Sequence, residues 1–226
     1  MNRRQFVAAT GSIAIGGLAG CLGGDGYETE SFRGTSVPLA PLADVAEWYE
    51  DGDAHFVDTR SQEEFDELRI EGSVFSPAED GLDEDDPAED WAADETIVTY
   101  CVCPHTLAGL RAGSLIDDGY DEVYALDEGF QAWIDEEYPI AGETVSGSLP
   151  AYEVSGRTDS AYAGEYVWVR EPDTGQREPG EIEPDGSYEL TLHFVGVDDD
   201  TPLVLETPSE TAELTLAELT TDVVRV

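Results

Sequence analysis

The chain changes pattern once along its length. Up to about residue 142, short apolar runs alternate with segments in which apolar residues recur at helical spacing. Pro41 to Tyr49 follows the helical period and stops at Asp51-Gly52, a natural helix end. Ala54-His-Phe-Val-Asp58 predicts a short strand. Ser61-Gln-Glu-Glu64 is a capping box that opens a helix through Leu68. Gly72 to Pro77 predicts a brief extended piece, and the acid-rich residues 78–95 predict a solvated loop. Thr96-Ile-Val-Thr-Tyr100 is an apolar, β-branched strand that must stop before Pro104, which lacks a ladder donor. A helix follows from about His105 to Asp118, with Gly119 as its C′ residue. Val123 to Leu126 predicts another strand, and Gly129 opens a helix that ends before Pro139. Strands alternating with helices predict βαβ units and a parallel sheet flanked by helices, an α/β fold.

After Pro150 the helical period disappears. Glu165-Tyr-Val-Trp-Val169, Tyr188 to Phe194, Leu203-Val-Leu205 and Thr211 to Leu216 are short alternating runs, and Pro184-Asp-Gly186 is a turn signal. Tyr188, Leu190, Leu192 and Phe194 share one face, which leaves His193 on the polar face, predicted exposed. Residues 150–226 are therefore expected to form a small all-β, antiparallel sandwich.

Composition changes the picture in one respect. The 226 residues include 52 acids against 10 basic residues, a formal net charge of −42, and every basic residue is Arg. With 40% of residues hydrophobic and placed periodically, the charge belongs to a folded surface and not to disorder. At ~1 M salt the Debye length is about 3 Å and neighbouring carboxylates barely repel, so a salt-loving organism is expected. The same charge argues against nucleic-acid binding, which needs a basic patch.

The first twenty residues read as a signal peptide: Arg3-Arg4, then a short Gly/Ala-rich apolar run, then Leu18-Ala-Gly-Cys21. The arginine pair resembles a twin-arginine export signal, and Leu-Ala-Gly-Cys resembles a lipobox, which implies lipidation of Cys21. Residues 21–37 are expected to be a flexible, lipid-anchored linker. That places the protein outside the cytoplasm, on the outer face of the cell membrane.

Two cysteines remain, Cys101 and Cys103, too close in sequence for an unstrained structural disulfide. Cys101 falls at the carboxyl end of a strand beside a helix start. There, backbone N–H groups lower a thiol pKa and cradle anions. His105 could supply a proton or a positive charge nearby. Cys101-Val-Cys103-Pro-His105 also offers two soft ligands and an imidazole, the alternative of a metal or redox site.

Residues 38–142 resemble the rhodanese-like sulfurtransferase domain. The resemblance runs through Val57-Asp58-Thr-Arg60 with Glu64-Phe65, Arg69-Ile-Glu-Gly-Ser73 with Pro77, Ile97 to Cys101, and Gly119 to Trp133 with its Leu126-Asp-Glu-Gly129. It implies a Cys101 nucleophile that takes a sulfane sulfur as a persulfide and passes it to a thiol or other thiophilic acceptor. Cys103 and His105 would assist. Asp58, Arg60, Arg69, Val102 and Thr106 would bind a small sulfur-containing anion. No cofactor and no metal are implied. Pro104 and Thr106 stand where the family commonly has Gly and Arg, and Arg69 replaces its His. A rhodanese fold that no longer catalyses, serving as a binding module, is the remaining alternative.

Overall fold

The structure, a computed structural model, describes residues 26–82, 84–102, 105–143, 149–221 and 223–225. The expected signal peptide, Cys21 and Cys103 lie outside the described residues.

The first unit runs β1 (Thr29–Phe32), β2 (Thr35–Ala40), α1 (Leu42–Asp51), β3 (Ala54–Asp58), α2 (Gln62–Glu67), β4 (Arg69–Ile70) and β5 (Val74–Phe75). It continues through β6 (Thr96–Tyr100), α3 (Thr106–Asp117), β7 (Val123–Leu126), α4 (Gly129–Asp135) and β8 (Ile140–Ala141). Six strands form one sheet in the order β1-β2-β7-β6-β3-β5. All neighbours pair parallel except β1, which returns antiparallel on β2, so the sheet is mixed. β6 lies centrally, with Val57 opposite Thr99 and Asp58 opposite Tyr100. α3 covers one face, over a core that includes Ile97, Val123, Leu107 and Leu115. α1 and α4 cover the other, over Val45, Val98, Phe130 and the fully buried Trp133. This is the expected α/β architecture, with its capping box at Ser61 and Glu64 and its helix ends at Gly52 and Gly119.

Two expectations are corrected here. The linker reading of residues 21–37 fails over β1 and β2, which complete the sheet edge. Phe32 is 3% exposed, and its ring lies where a Cβ on Gly109 of α3 would sit, 2.3 Å away, so only glycine lets the hairpin seat on that helix. The loop of residues 78–95 is not wholly solvated either. Asp86 is buried, accepts a 2.6 Å hydrogen bond from Ser76 Oγ, and pairs with Arg111 of α3 at 3.3 Å.

The second unit contains β9 (Tyr152–Arg157), β10 (Tyr166–Arg170), β11 (Arg177–Glu181), β12 (Ser187–Leu192), β13 (Pro202–Glu206), β14 (Thr211–Thr215), α5 (Leu216–Thr221) and β15 (Val224–Arg225). Sheets ordered β11-β10-β13-β14 and β12-β9-β15 enclose one core of Val154, Val167, Tyr188, Leu192, Leu203 and Leu219. It departs from an all-β, antiparallel sandwich in two ways. α5 follows directly on β14, and β15 pairs parallel with β9. The two units share a core. Trp168 of β10 is packed in the cluster that holds Cys101, Leu107 and Leu110.

Candidate active site

The site is built at the carboxyl ends of β3 and β6. Apolar burial fixes β6, and Cys101 follows its last residue, 3% exposed. The Cys101 carbonyl accepts the Phe130 N–H at 2.8 Å, which ties the strand end to α4. Gly129 makes that approach possible: its φ is +75°, and a Cβ there would lie 2.5 Å from the Val102 carbonyl oxygen. Val102 is therefore 2% exposed and engaged through its backbone.

Opposite the strand end, α3 begins. The backbone N–H groups of Leu107 and Ala108 reach the Cys101 thiol and favour its thiolate. This is the expected helix-start cradle. Thr106 is the first residue of α3 and half-buried. Yet the thiol is not acidified. Burial, and after it the carboxyl of Glu178, pushes Cys101 up to about 12 against those N–H groups and Arg60. The expected lowering of its pKa is thus overturned, because the sulfur has been taken out of water.

Asp58 and Arg60 lie beside it as a buried pair. Arg60 Nε donates to Asp58 Oδ1 at 2.9 Å and Nη2 to Oδ2 at 2.6 Å, and Nη2 also donates to the Leu68 carbonyl at 2.6 Å. Arg60 stacks over the Phe130 ring at 5.0 Å and is 2% exposed. Burial lowers its pKa. Asp58 outweighs that cost and keeps it firmly protonated. Its Nη1 finds no hydrogen-bond partner among the described residues. Both residues are committed first to each other, and only Nη1 is left for a ligand.

Other expected residues are engaged with other partners. Arg69 donates to the Phe65 carbonyl at 3.0 Å and stacks on the Phe65 ring at 4.6 Å. It sits on β4, beside Gly142 and Glu143. His105 caps α3 in a left-handed conformation, φ 43°. Its Nε2 lies 2.9 Å from Glu30 Oε2 and its Nδ1 3.0 Å from the Asp127 carbonyl. Burial would lower its pKa, but these partners raise it. The imidazole is held by the hairpin carboxylate and the Asp127 backbone. Arg111, the first arginine after Cys101, is spent on Ser76, Asp86 and Ser114.

Three residues were not expected at the site. Glu64, expected as a helix cap and part of the family resemblance, is 1% exposed and leaves Oε1 unpartnered. Glu178 of β11, 3% exposed, acts electrostatically on Cys101, Glu64 and Arg60. His193, expected exposed, is 8% exposed, bound through Nδ1 to the Pro150 carbonyl at 2.7 Å, and feels Arg60. Among the described residues no group of three or more His, Cys, Asp or Glu could hold a metal ion. Nor is any described helix long and apolar enough to cross a membrane. A cleft of 840 Å³ opens between the β1–β2 hairpin and the second unit, lined by Arg33, Tyr166, Trp168 and Glu206, and Cys101 does not line it.

Residues 42–136 match the family model described as Rhodanese-like domain, so this segment is a rhodanese-like domain. No curated protein matches the chain. Among solved structures, the chain is similar to a Bacillus halodurans protein at 23% identity and TM-score 0.41, covering 46% of this chain and 76% of that one. It is similar to the rhodanese-like domain of an Anabaena protein at 20% identity and TM-score 0.42, covering 50% and 88%. It is also similar to a structure titled rhodanese with anions from E. coli, at 19% identity and TM-score 0.33, covering 39% of this chain and 98% of that one. The assignment rests on the family model.

Proposed function

We propose that the protein is a sulfurtransferase that carries sulfane sulfur as a persulfide on Cys101, outside the cytoplasm and anchored by a lipid on Cys21. The observation that carries the reading is the convergence of the Leu107 and Ala108 N–H groups on the Cys101 sulfur at the start of α3. Such a cradle stabilises an anion without a cation, which suits a chain whose loop lacks the family's arginine. In the reaction the thiol first loses its proton to solvent. The thiolate then attacks the outer sulfur of the donor. With thiosulfate, sulfite leaves with the bonding pair and the persulfide remains. An acceptor thiolate next attacks the outer sulfur, and the Cys101 thiolate leaves. Partners are a small sulfur-containing anion and a thiol acceptor.

The test is to treat the chain with thiosulfate, mercaptopyruvate or a polysulfide and read its intact mass. Addition of one sulfur that Cys101→Ser abolishes supports the reading. No addition from any donor, with the fold intact, contradicts it. The anchor is read separately, by membrane fractionation of Cys21→Ser.

The burial of Cys101 favours a second reading, a rhodanese fold used for binding alone. Failure of every donor in a variant with an accessible Cys101 would select it.

A further inference from the structure

The proposed reaction gives residues 152–225 no part, yet they pack against the site. Trp168 packs into the Cys101 cluster, and β11 lies against α3. Cys101 is 3% exposed in this arrangement. The contact is also poorly satisfied. Arg60 Nη1, Glu64 Oε1, Glu178 Oε1 and His193 Nε2 are all buried without a hydrogen-bond partner among the described residues. Arg60 is coupled to each of the other three, so these atoms belong to one neighbourhood, drawn from both units. Each buried unpaired atom carries a desolvation cost that separation into water removes.

We propose that the C-terminal unit is a gate on Cys101 and that Glu178 is the positioning residue that sets how readily the gate opens. The proposal rests on Cys101 being the nucleophile. Opening lifts β11 from the start of α3, bares the sulfur and returns Glu178 to water. The groups facing Glu178 are the Cys101 thiol after β6, Glu64 of α2 and Arg60 after β3, the last paired to Asp58. His193, after β12, joins through Arg60, and burial lowers its pKa. Burial and Glu64 raise Glu178 well above the usual carboxylate range when the gate is shut, and Arg60 opposes them. A group raised in the closed form favours closure fully below its ordinary value, about 4.3, and loses that contribution as pH rises. At neutral pH Glu178 therefore biases the gate toward opening. A glutamine cannot ionise and exerts no such bias.

The experiment measures iodoacetamide labelling at Cys101 of the full chain in molar salt, located by peptide mass. Wild type should react roughly a hundredfold more slowly than the same chain in denaturant. Glu178→Gln should react more slowly than wild type at neutral pH, and the wild-type to variant ratio should grow from about pH 5 to about pH 8. The thiol's own titration cancels in that ratio. Trp168→Ala, which loosens the join, should react faster. Wild type labelling at the denatured rate overturns the gate, and a ratio flat in pH overturns the role of Glu178. If Trp168→Ala labels quickly but loads no sulfur, the sulfurtransferase reading fails and the gate stands. If wild type loads sulfur as fast as Trp168→Ala, the gate fails and the sulfurtransferase stands.

Discussion

Asp58 and Arg60, two residues apart, hold each other in a two-pronged ion pair with both side chains fully buried. The pair closes the turn after β3 and braces the Leu68 carbonyl. Breaking a buried pair strands the remaining charge, at a cost of about 3–5 kcal/mol.

Asp58→Asn should therefore destabilise the protein by about 3–5 kcal/mol, read from denaturant unfolding in molar salt. Replacing both partners by apolar residues should recover much of that loss. A single substitution costing under about 1 kcal/mol would remove the pair from the list of features that hold the site.

The ion pairing of His105 with Glu30 predicts a pH dependence. Its folded pKa is raised above the ordinary 6.5 once Glu30 and the Asp127 carbonyl outweigh burial. The stabilisation is thus full below about 6.5 and is lost as pH rises through the folded value. The stability difference between wild type and Glu30→Gln should shrink as pH rises across that window. A difference that grew with pH would reverse the assignment.

Salt should act on the whole surface. With 52 acids against 10 arginines, the melting temperature should climb steeply from low to molar salt as repulsion is screened. Differential scanning calorimetry across salt concentrations checks this, and a flat response would contradict the salt-loving reading.

The βαβ half was legible because its periods are clean: the β6 run, the Ser61 capping box and the glycines after α1 and α3 all agree with one architecture. The hairpin was hidden because β1 buries only Phe32 and otherwise presents polar residues. β11 reads Arg177-Glu-Pro-Gly-Glu181, whose Pro and Gly argue for a turn. It survives as a strand because it is an edge, paired with β10 alone. That one hidden strand carries Glu178, so the second half of the site could not be read. Alternation placed His193 on a polar face correctly in kind. His193 itself is buried past the end of β12, against the Pro150 carbonyl, while Glu189 on that face stays exposed. Burial also reversed the expectation for the Cys101 thiol: the helix start favours its thiolate, but burial outweighs it.

The central claim is that transferred sulfur resides on Cys101. The most direct measurement is peptide mapping of the full chain after donor treatment in molar salt, with the persulfide trapped by an alkylator. The account predicts one extra sulfur on Cys101, lost in Cys101→Ser and only slowed or redirected in Cys103→Ser. Sulfur found on Cys103, persisting in Cys101→Ser, would contradict it.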